Sequence, residues 1–420
     1  MYSATQISSL AKGKPVAIFG TGVSGRAVKK LLDKLGIESN FYAENEGLIF
    51  NEHNAQQHKL VVYSPAFRPD NEWILLAEKS GTECICETDL SALAWRGKII
   101  AITGTNGKTT LTSFICAALK KSEIDAIVAG NIGTPLSEIC AENNFSENAV
   151  AVVELSSFQT SKIKYLRPDA LIWTNFDADH LDWHKDLQEY FNAKINLVKN
   201  LKTNVFIAGS SVAEYAKTFS IALPDFTKFF DESLRYNAPE PFSSSIQALN
   251  FEAAKMFWEC EGLNIDILEQ TCKSFELPQY RFSEPYVVDN VKFYNDSKAT
   301  NAHAAIAAIK ELSGCRNLVW LGGGKNKNCN LSALVDAISK HCKSAVLIGQ
   351  TAEILSAELD KAGVKNLKAN DMQEAVKLCW NLAKEDGSVL FSPAFSSFGM
   401  FAGYAERGKS FKNAVLCLKN

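Results

Sequence analysis

The segment 99–110 has the residue types of a loop that binds nucleotide phosphates. A β-branched strand is followed by a turn between Gly104 and Gly107, and Lys108 and Thr109 come directly after it. Backbone N–H groups of such a turn and of the next helix point at an anion. The lysine would contact the β- and γ-phosphates, and the threonine hydroxyl would bind Mg²⁺.

This loop is shorter than the usual P-loop. The common pattern G-x-x-x-x-G-K-[ST] would place a glycine at position 102, where the chain has Ile102. The next helix is predicted to begin near Leu111. The residues predicted to bind ATP here are Gly104, Thr105, Asn106, Gly107, Lys108, Thr109 and Thr110.

The composition is that of a soluble globular protein with two or three domains. The 420 residues are 46% hydrophobic and 22% charged, and the net charge is −3. This charge gives no basic field for nucleic acid, so we expect no nucleic-acid partner. We find no signal peptide and no span long enough to cross a bilayer. Eleven cysteines without a C-x-x-C pair fit a reducing cytoplasm.

Strands and helices alternate along the chain, which predicts an α/β fold with mostly parallel sheets. The pattern restarts twice and predicts three domains, at 1–88, 89–280 and 281–420. The last of these is expected to open with a hairpin over 287–295. The predicted strands include 15–19, 40–44, 60–64, 99–103, 149–153, 170–174, 204–208, 317–321, 344–348 and 387–392.

The first predicted domain carries a glycine-rich turn of its own. Gly20, Gly22 and Gly25 match G-x-G-x-x-G, and Glu44 lies where NAD enzymes keep a ribose-binding acid. Taken alone, this match would suggest a dehydrogenase. The match alone does not establish a dehydrogenase, because three glycines at this spacing indicate only that a phosphate can approach the first βα turn.

Polar residues follow two later strands, at the edge where an α/β protein places its site. Glu154 is well placed there to hold Mg²⁺, a hard cation that prefers oxygen ligands. His180 and His184, among three aspartates, raise the alternative of zinc. No cysteine lies nearby, and Mg²⁺ with phosphate already explains an oxygen-rich site, so His180 is the predicted metal ligand.

The third predicted domain offers two more anion-binding turns. Lys298 and Thr300 lie at the head of a helix, and Lys325 and Lys327 follow a triple glycine. Either turn suits a nucleotide or a substrate carboxylate. Three domains with anion-binding turns indicate an ATP-driven ligase whose cleft closes on several anionic ligands.

Together, these residues resemble the Mur ligase family, which shares its ATP-binding domain with folylpolyglutamate synthetase. The resemblance covers essentially the whole chain and is carried by Gly104–Thr109, Gly130–Gly133, Glu154–Gln159, Asp179–Asp182, Asn295–Asn301, Ser392–Ala394 and Glu406–Gly408. It implies an ATP-dependent amide ligase that adds D-glutamate to UDP-N-acetylmuramoyl-L-alanine through an acyl phosphate. The protein would then be a cytoplasmic monomer in bacterial peptidoglycan synthesis.

Two alternatives stay open at this stage. Another amino-acid ligase of the same superfamily, such as folylpolyglutamate synthetase or a different Mur ligase, would share the ATP site. A nucleotide-sensing Rossmann protein would use Gly20–Gly25 for a dinucleotide and would not turn over ATP.

The resemblance also implies roles for individual residues. Lys108, His180, Lys194 and Lys298 would be catalytic, and Lys194 would be carbamylated. Two Mg²⁺ ions are expected, held by Thr109, Glu154, His180 and the Lys194 carbamate. Further ATP contacts would be Gln247, Arg281 and Asp296. The UDP-substrate contacts would be Val23, Ser24, Ser64, Pro65, Asn131, Ser156 and Gln159. The D-glutamate contacts would be Lys298, Thr300, Lys327, Ser397 and Tyr404.

Three positions depart from the family pattern. Gln247 stands where an adenine-contacting Asn is usual, ahead of a helix expected to begin near Asn250. Gly399 replaces an Asp, and Tyr404 replaces a Phe. These changes concern affinity and the D-glutamate rim more than the class of reaction.

Overall fold

The computed structural model describes residues 2–44, 48–142, 145–234, 236–282, 285–325, 331–384 and 386–419. Strands and helices alternate, as predicted, and the strands form three sheets. The chain divides into two compact units. One comprises Met1–Phe176, Gln188–Pro239 and Leu249–Phe275, and the other comprises Asp177–Leu187, Glu240–Ala248 and Glu276–Asn420. The boundaries predicted for three domains stay a prediction.

The first sheet lies in the first unit and has four parallel strands in the order β2-β1-β3-β4. Its strands are β1 (Val16–Phe19), β2 (Ser39–Tyr42), β3 (Leu60–Tyr63) and β4 (Glu83–Cys86). Its helices are α1 (Tyr2–Ala11), α2 (Val23–Lys34), α3 (Glu52–Ala55), α4 (Glu72–Lys79) and α5 (Glu87–Ala94). Strands β1 and β3 are apolar throughout and buried at every position, as expected for central parallel strands.

The second sheet has six parallel strands in the order β10-β9-β8-β5-β7-β6. Its strands are β5 (Lys98–Thr103), β6 (Ala126–Gly130), β7 (Val150–Glu154), β8 (Ala170–Trp173), β9 (Phe206–Gly209) and β10 (Lys228–Phe230). The helices of this segment are α6 (Lys108–Lys121), α7 (Leu136–Glu142), α8 (Ser157–Thr160), α9 (Leu187–Lys199), α10 (Ser210–Thr218), α11 (Ser245–Cys260) and α12 (Ile265–Cys272). Strand β5 lies between β7 and β8, so the phosphate loop leaves the middle of the sheet.

The third sheet lies in the second unit, in the order β11-β12-β16-β13-β14-β15. Its strands are β11 (Tyr286–Val288), β12 (Val291–Asn295), β13 (Leu318–Gly323), β14 (Ser344–Ile348), β15 (Lys365–Lys368) and β16 (Ser388–Phe391). Its helices are α13 (Ala302–Glu311), α14 (Ser332–His341), α15 (Ala352–Lys361), α16 (Met372–Ala383) and α17 (Tyr404–Leu416). The predicted hairpin is confirmed, since β11 and β12 pair antiparallel.

Both faces of the third sheet are buried. Along β13, Leu318 and Trp320 belong to one apolar cluster, whereas Val319 and Leu321 belong to another. Side chains alternate between the faces of a strand, so helices must cover both faces. Because both faces are covered, the sequences of β13 and β14 are continuous, mostly apolar runs.

Two predicted helix starts are wrong. Helix α6 begins at Lys108, not near Leu111, because Gly107 takes a left-handed conformation and turns the chain directly into the helix. Helix α11 begins at Ser245, not near Asn250. Its early start is stabilised by Glu311, whose carboxylate accepts hydrogen bonds from the Ser245 backbone N–H and hydroxyl. Among the described residues, no helix combines the length and apolar character needed to cross a bilayer.

The glycine turn before α2 yields a stability prediction. A Cβ on Gly25 would lie 1.9 Å from the backbone oxygen of Gly20, whereas a Cβ on Gly22 would meet nothing within 4 Å. We expect Gly25→Ala to lower the thermal unfolding midpoint, by a loss of roughly 2 kcal/mol or more. Gly22→Ala is the matched control and should change stability by less than about 1 kcal/mol. Equal thermal unfolding midpoints for Gly25→Ala and Gly22→Ala would contradict the close approach of Gly25 to the Gly20 carbonyl oxygen.

Candidate active site

The phosphate loop requires glycine at both of its ends. Gly104 has φ = +143° and Gly107 has φ = +85°. A Cβ at Gly104 would lie 1.9 Å from Thr174 Oγ1, and a Cβ at Gly107 would lie 2.4 Å from Asn250 Oδ1. Both conformation and space therefore exclude other residues, which explains why the motif is bracketed by glycine.

Residues that follow β8 hold this loop in place. The Asn106 backbone N–H donates to Asn175 Oδ1 at 2.8 Å, and the Thr105 N–H donates to Asn175 O at 3.0 Å. The Thr174 hydroxyl donates to Asn106 O at 2.5 Å. Asn175 and Asn250 contact the loop but were not among the predicted site residues. The only signal for Asn175 was its position at the end of a predicted strand.

Lys108 folds back over the loop that precedes it. Its Nζ donates to Gly104 O at 2.8 Å and to Thr105 O at 2.9 Å. The ammonium therefore lies at the mouth of the turn, beside the N-terminus of α6. Lysine and helix terminus both favour an anion at this place.

Thr109, Glu154 and Asn131 form one hydrogen-bonded group. Thr109 Oγ1 donates to Glu154 Oε2 at 2.7 Å, and Asn131 Nδ2 donates to Glu154 Oε1 at 3.0 Å. The Asn131 backbone N–H also donates to Glu154 O at 2.9 Å. Glu154 is only 2% exposed. The three predicted residues are thus brought together at the end of β7.

This group fits a hard divalent cation. A carboxylate and a hydroxyl in contact are the oxygen ligands that Mg²⁺ uses beside nucleotide phosphates. In the part of the chain that the structure describes, no group of three or more His, Cys, Asp or Glu residues is arranged to hold a metal ion. Glu154 and Thr109 would therefore supply only part of the coordination, and phosphate oxygens and water the rest.

Lys194 lies against the same loop. It is 1% exposed on α9, and its Nζ donates to Thr103 Oγ1 and to Gly104 O, both at 3.1 Å. The Tyr190 ring centroid lies 5.0 Å from this Nζ. A buried lysine amine is an unusual feature in a helix that is otherwise partly exposed. The structure therefore places Lys194 in direct contact with Gly104, a residue of the predicted phosphate site.

The remaining predicted contacts of the first unit divide into two groups. The turn at Gly20 approaches Ser64, since a Cβ on Gly20 would lie 3.4 Å from Ser64 Cβ. Val23, which begins α2, is 62% exposed and accessible to a ligand. In contrast, Ser156 and Gln159 bond to one another and form a capping box on α8.

In the second unit, the backbone of His180 is held by the carboxylate of the preceding residue. It has φ = +56°, and its backbone N–H donates to Asp179 Oδ1 at 2.7 Å. Asn301, the N-cap of α13, donates to Asp179 Oδ2 at 2.9 Å. His184 is 1% exposed and lies edge-on to the Trp183 ring, so it packs in the interior.

Lys298 and Tyr404 are neighbours in the second unit. Lys298 Nζ lies 3.9 Å from the centroid of the Tyr404 ring. Buried Arg407 donates to Ser297 O at 2.8 Å and to Phe395 O at 2.9 Å, and the Ser297 hydroxyl donates to Tyr404 O at 2.9 Å. Arg407 was not among the predicted site residues, although it lies in the quoted motif Glu406–Gly408.

Asp296 is a buried carboxyl group whose pKa is raised. Burial raises its pKa from 3.8 to about 7, against the hydrogen bond from Ser392 and the charges of Arg281 and Arg407. Burial also lowers the pKa of Arg407 to about 10. Asp296 and Arg281, both predicted ATP contacts, therefore interact electrostatically.

Four further predicted contacts have different outcomes. Gln247 is buried inside the first turn of α11, where its N–H donates to Ser244 Oγ at 3.3 Å, so it does not precede the helix. Ser397 is buried and Thr300 is half-buried. Lys327 lies outside the described residues. Its alternative, Lys325, is exposed and pairs through its backbone N–H with Ser396 O at 2.9 Å.

Two family profiles match the chain. The Mur ligase middle domain matches residues 102–309, and the Mur ligase, glutamate ligase domain matches residues 281–395. A relative from Aquifex aeolicus is 33% identical over 95% of this chain and 97% of its own length. The chain therefore belongs to the Mur ligase family. That relative is named UDP-N-acetylmuramoylalanine–D-glutamate ligase.

Solved structures agree on the fold. The UDP-N-acetylmuramate-alanine ligase MurC of Thermotoga maritima superposes with a TM-score of 0.58 at 17% identity, over 97% of this chain and 100% of that one. MurF ligase of the same organism, in complex with ADP, gives a TM-score of 0.56 at 16% identity, over 87% of this chain and 96% of that one. The predicted α/β fold with parallel sheets is therefore confirmed.

Asp296 generates a pH-dependent prediction. The unfolded carboxyl ionises near pH 4, whereas the folded one stays protonated to about pH 7, so the free energy of unfolding falls as the pH rises between these values. In Asp296→Asn, we expect the free energy of unfolding to fall less over this pH range than in the wild-type protein, by more than about 1 kcal/mol. Denaturant midpoints at pH 5 and pH 7.5 measure it. Asp289→Asn, at an exposed turn position, is the control. A variant whose midpoints keep the wild-type difference would contradict the assignment.

Proposed function

We propose that this protein is an ATP-dependent ligase that joins D-glutamate to UDP-N-acetylmuramoyl-L-alanine, in peptidoglycan synthesis. The observation that carries the proposal is the grouping of Lys108, Thr109, Glu154 and buried Lys194 around one glycine-bracketed loop. It supports phosphoryl transfer, and the family and the Aquifex aeolicus relative support the acceptor and the amino acid. The alternatives of a folate ligase and of a nucleotide sensor gain no observation of their own.

Phosphoryl transfer needs positioning and neutralisation of charge more than covalent chemistry. In this chain, Lys108 would exchange its two carbonyl partners for phosphate oxygens. The N-terminus of α6 adds backbone N–H groups that face the same anion. Together they would stabilise the γ-phosphoryl group as it moves to the L-alanine carboxylate.

Thr109 and Glu154 would hold one Mg²⁺ ion, and His180 would help to hold a second. Bound Mg²⁺ supplies positive charge that neutralises the phosphates. Lys194 would contribute a further carboxylate as a carbamate. CO₂ adds only to a neutral amine, and the near-complete burial of Lys194 supports this proposal because desolvation disfavours the charged ammonium.

The acyl phosphate would then be attacked by the amine of D-glutamate. Lys298, at the head of α13, would face a carboxylate of this amino acid, with its Nζ aligned by the Tyr404 ring. The turn before α2 would bind the diphosphate of the UDP substrate. We assign the UDP substrate to 1–88, ATP to 89–280 and the amino acid to 281–420. Both nucleotide substrates suit a cytoplasmic enzyme.

The proposal is tested by ADP release in a coupled assay. We expect turnover to require ATP, Mg²⁺, UDP-N-acetylmuramoyl-L-alanine and D-glutamate together, with L-glutamate inactive. Turnover that depends on L-glutamate and a folate would replace the proposal with the superfamily alternative. Binding of NADH without ADP release would favour the sensor.

Lys194 provides a test of the carbamate. We expect Lys194→Ala to lose most activity, at least about 100-fold in kcat, because a carboxylate beside the phosphate site is removed. Added formate or acetate should restore part of it by replacing the missing carboxylate. Lys199→Ala, on the exposed side of the same helix, is the matched control. Full activity of Lys194→Ala without added acid would overturn the role.

Tyr404 provides a test of the amino-acid site. Replacement by Phe preserves the ring face beneath Lys298, so the KM for D-glutamate should change less than about twofold. Replacement by Leu removes the cation–π contact, worth about 0.5–2 kcal/mol, and should raise this KM by roughly 2- to 30-fold. Steady-state kinetics at saturating ATP measure both. Equal KM values for the Phe and Leu variants would show that the ring does not position Lys298.

A further inference from the structure

Glu87 is a buried carboxylate that joins two helices of the first unit. It begins α5 and is 2% exposed. Its Oε1 accepts from the Ser137 N–H at 3.0 Å, from the Ser137 hydroxyl at 2.6 Å and from the Ser91 hydroxyl at 2.8 Å. Ser91 belongs to α5 itself, whereas Ser137 lies in the first turn of α7. A buried carboxylate is tolerated only with such partners, so its position is closely defined.

Helix α7 is joined to the Thr109–Glu154 pair by a short, closed turn. Thr134 forms a bridge with Ala129, and the Glu138 and Ile139 N–H groups of α7 donate to Pro135 O, directly before the helix. Asn131 lies inside this turn and donates to Glu154 through both its backbone and its side chain. Ser137 of α7 lies only six residues after Asn131, so the Glu87 bonds hold one end of the segment whose other end carries the Asn131 amide.

The same helix is contacted by α2, which begins at the glycine turn of the first sheet. Lys30 donates to Glu138 and Glu142, both at 3.1 Å, and Lys34 donates to Ala141 O at 2.6 Å. The Lys30 ion pairs are exposed, and such pairs contribute little. The buried bonds to Glu87 are the stronger attachment of α7.

We infer that Glu87 is a positioning residue for the Thr109–Glu154 pair. It would act through Ser137, α7 and Asn131, and it would not touch the nucleotide. Loss of the Glu87–Ser137 bonds would let α7 shift, and the Asn131 amide would leave Glu154 free to turn from Thr109. This inference rests on the proposed function, which assigns that pair to the Mg²⁺ of MgATP.

Nucleotide binding tests the inference without turnover. The probe is adenosine 5′-(β,γ-imido)triphosphate, titrated calorimetrically with and without Mg²⁺, and the readout is the ratio of the two Kd values. Removing a residue that holds a metal ligand in place commonly weakens a metal site by about 10- to 100-fold. Because Glu87 lies one step further out, we expect Glu87→Ala to lower the Mg²⁺ enhancement by roughly 3- to 10-fold. The Kd without Mg²⁺ should be unchanged, and Glu87→Gln, which keeps an acceptor, should retain part of the enhancement.

A pair of serine variants keeps the test independent of folding. Ser137→Ala and Ser91→Ala each remove one hydroxyl from the same Oε1, but only Ser137 belongs to α7. We expect a reduced Mg²⁺ enhancement for Ser137→Ala and a wild-type ratio for Ser91→Ala.

Two results would overturn the inference. The first is a lower melting temperature for Glu87→Ala and Ser137→Ala with an unchanged ratio, since that is the signature of a purely structural clamp. The second is a wild-type protein whose nucleotide affinity does not respond to Mg²⁺. Failure of the proposed function is distinguishable, because it is read from D-glutamate-dependent ADP release by the wild-type protein.

Discussion

The hydrogen bond between Thr109 and Glu154 is the contact on which the first unit's site depends. It joins the first turn of α6 to the end of β7, and it can form only if β5 and β7 are adjacent in register. Glu154 is buried, so its charge must be met by donors that the fold places beside it. Thr109 and Asn131 are those donors. The parallel sheet, the glycine-containing turns at the ends of β5 and β6 and the packing of α7 place these two donors.

In the second unit, a buried guanidinium group holds the segment that carries Lys298. Arg407 bonds to Ser297 and Phe395, and the segment from Asp296 to Asn301 is held from several sides at once. Asn301 begins α13 and also reaches Asp179. In consequence, the backbone that carries Lys298 is held in place on several sides, and the Lys298 Nζ lies over the Tyr404 ring.

Much of this could be predicted from local pattern. Apolar, β-branched runs such as those ending at Thr103 and Ile348 predict strands, and polar residues at strand ends predict the site. What could not be predicted depends on distant partners. The early start of α11 needs Glu311, and the shape of the phosphate loop needs Asn175 and Asn250. The burial of Lys194 was implied by resemblance alone, since its helix pattern does not distinguish it from a surface lysine.

The fold-back of Lys108 has a consequence for how ligand enters. Its two carbonyl partners belong to the loop itself, and Asn175 fixes that loop from outside. The hydrogen bonds from the Lys108 ammonium to these two carbonyl oxygens thus help the turn to hold its shape. When a phosphate binds, Lys108 exchanges these carbonyl oxygens for phosphate oxygens while the loop keeps its conformation. Little conformational entropy is therefore lost on association. Occupancy at this loop should therefore depend on competition between phosphate oxygens and the loop carbonyl groups for the Lys108 ammonium, more than on ordering of the loop.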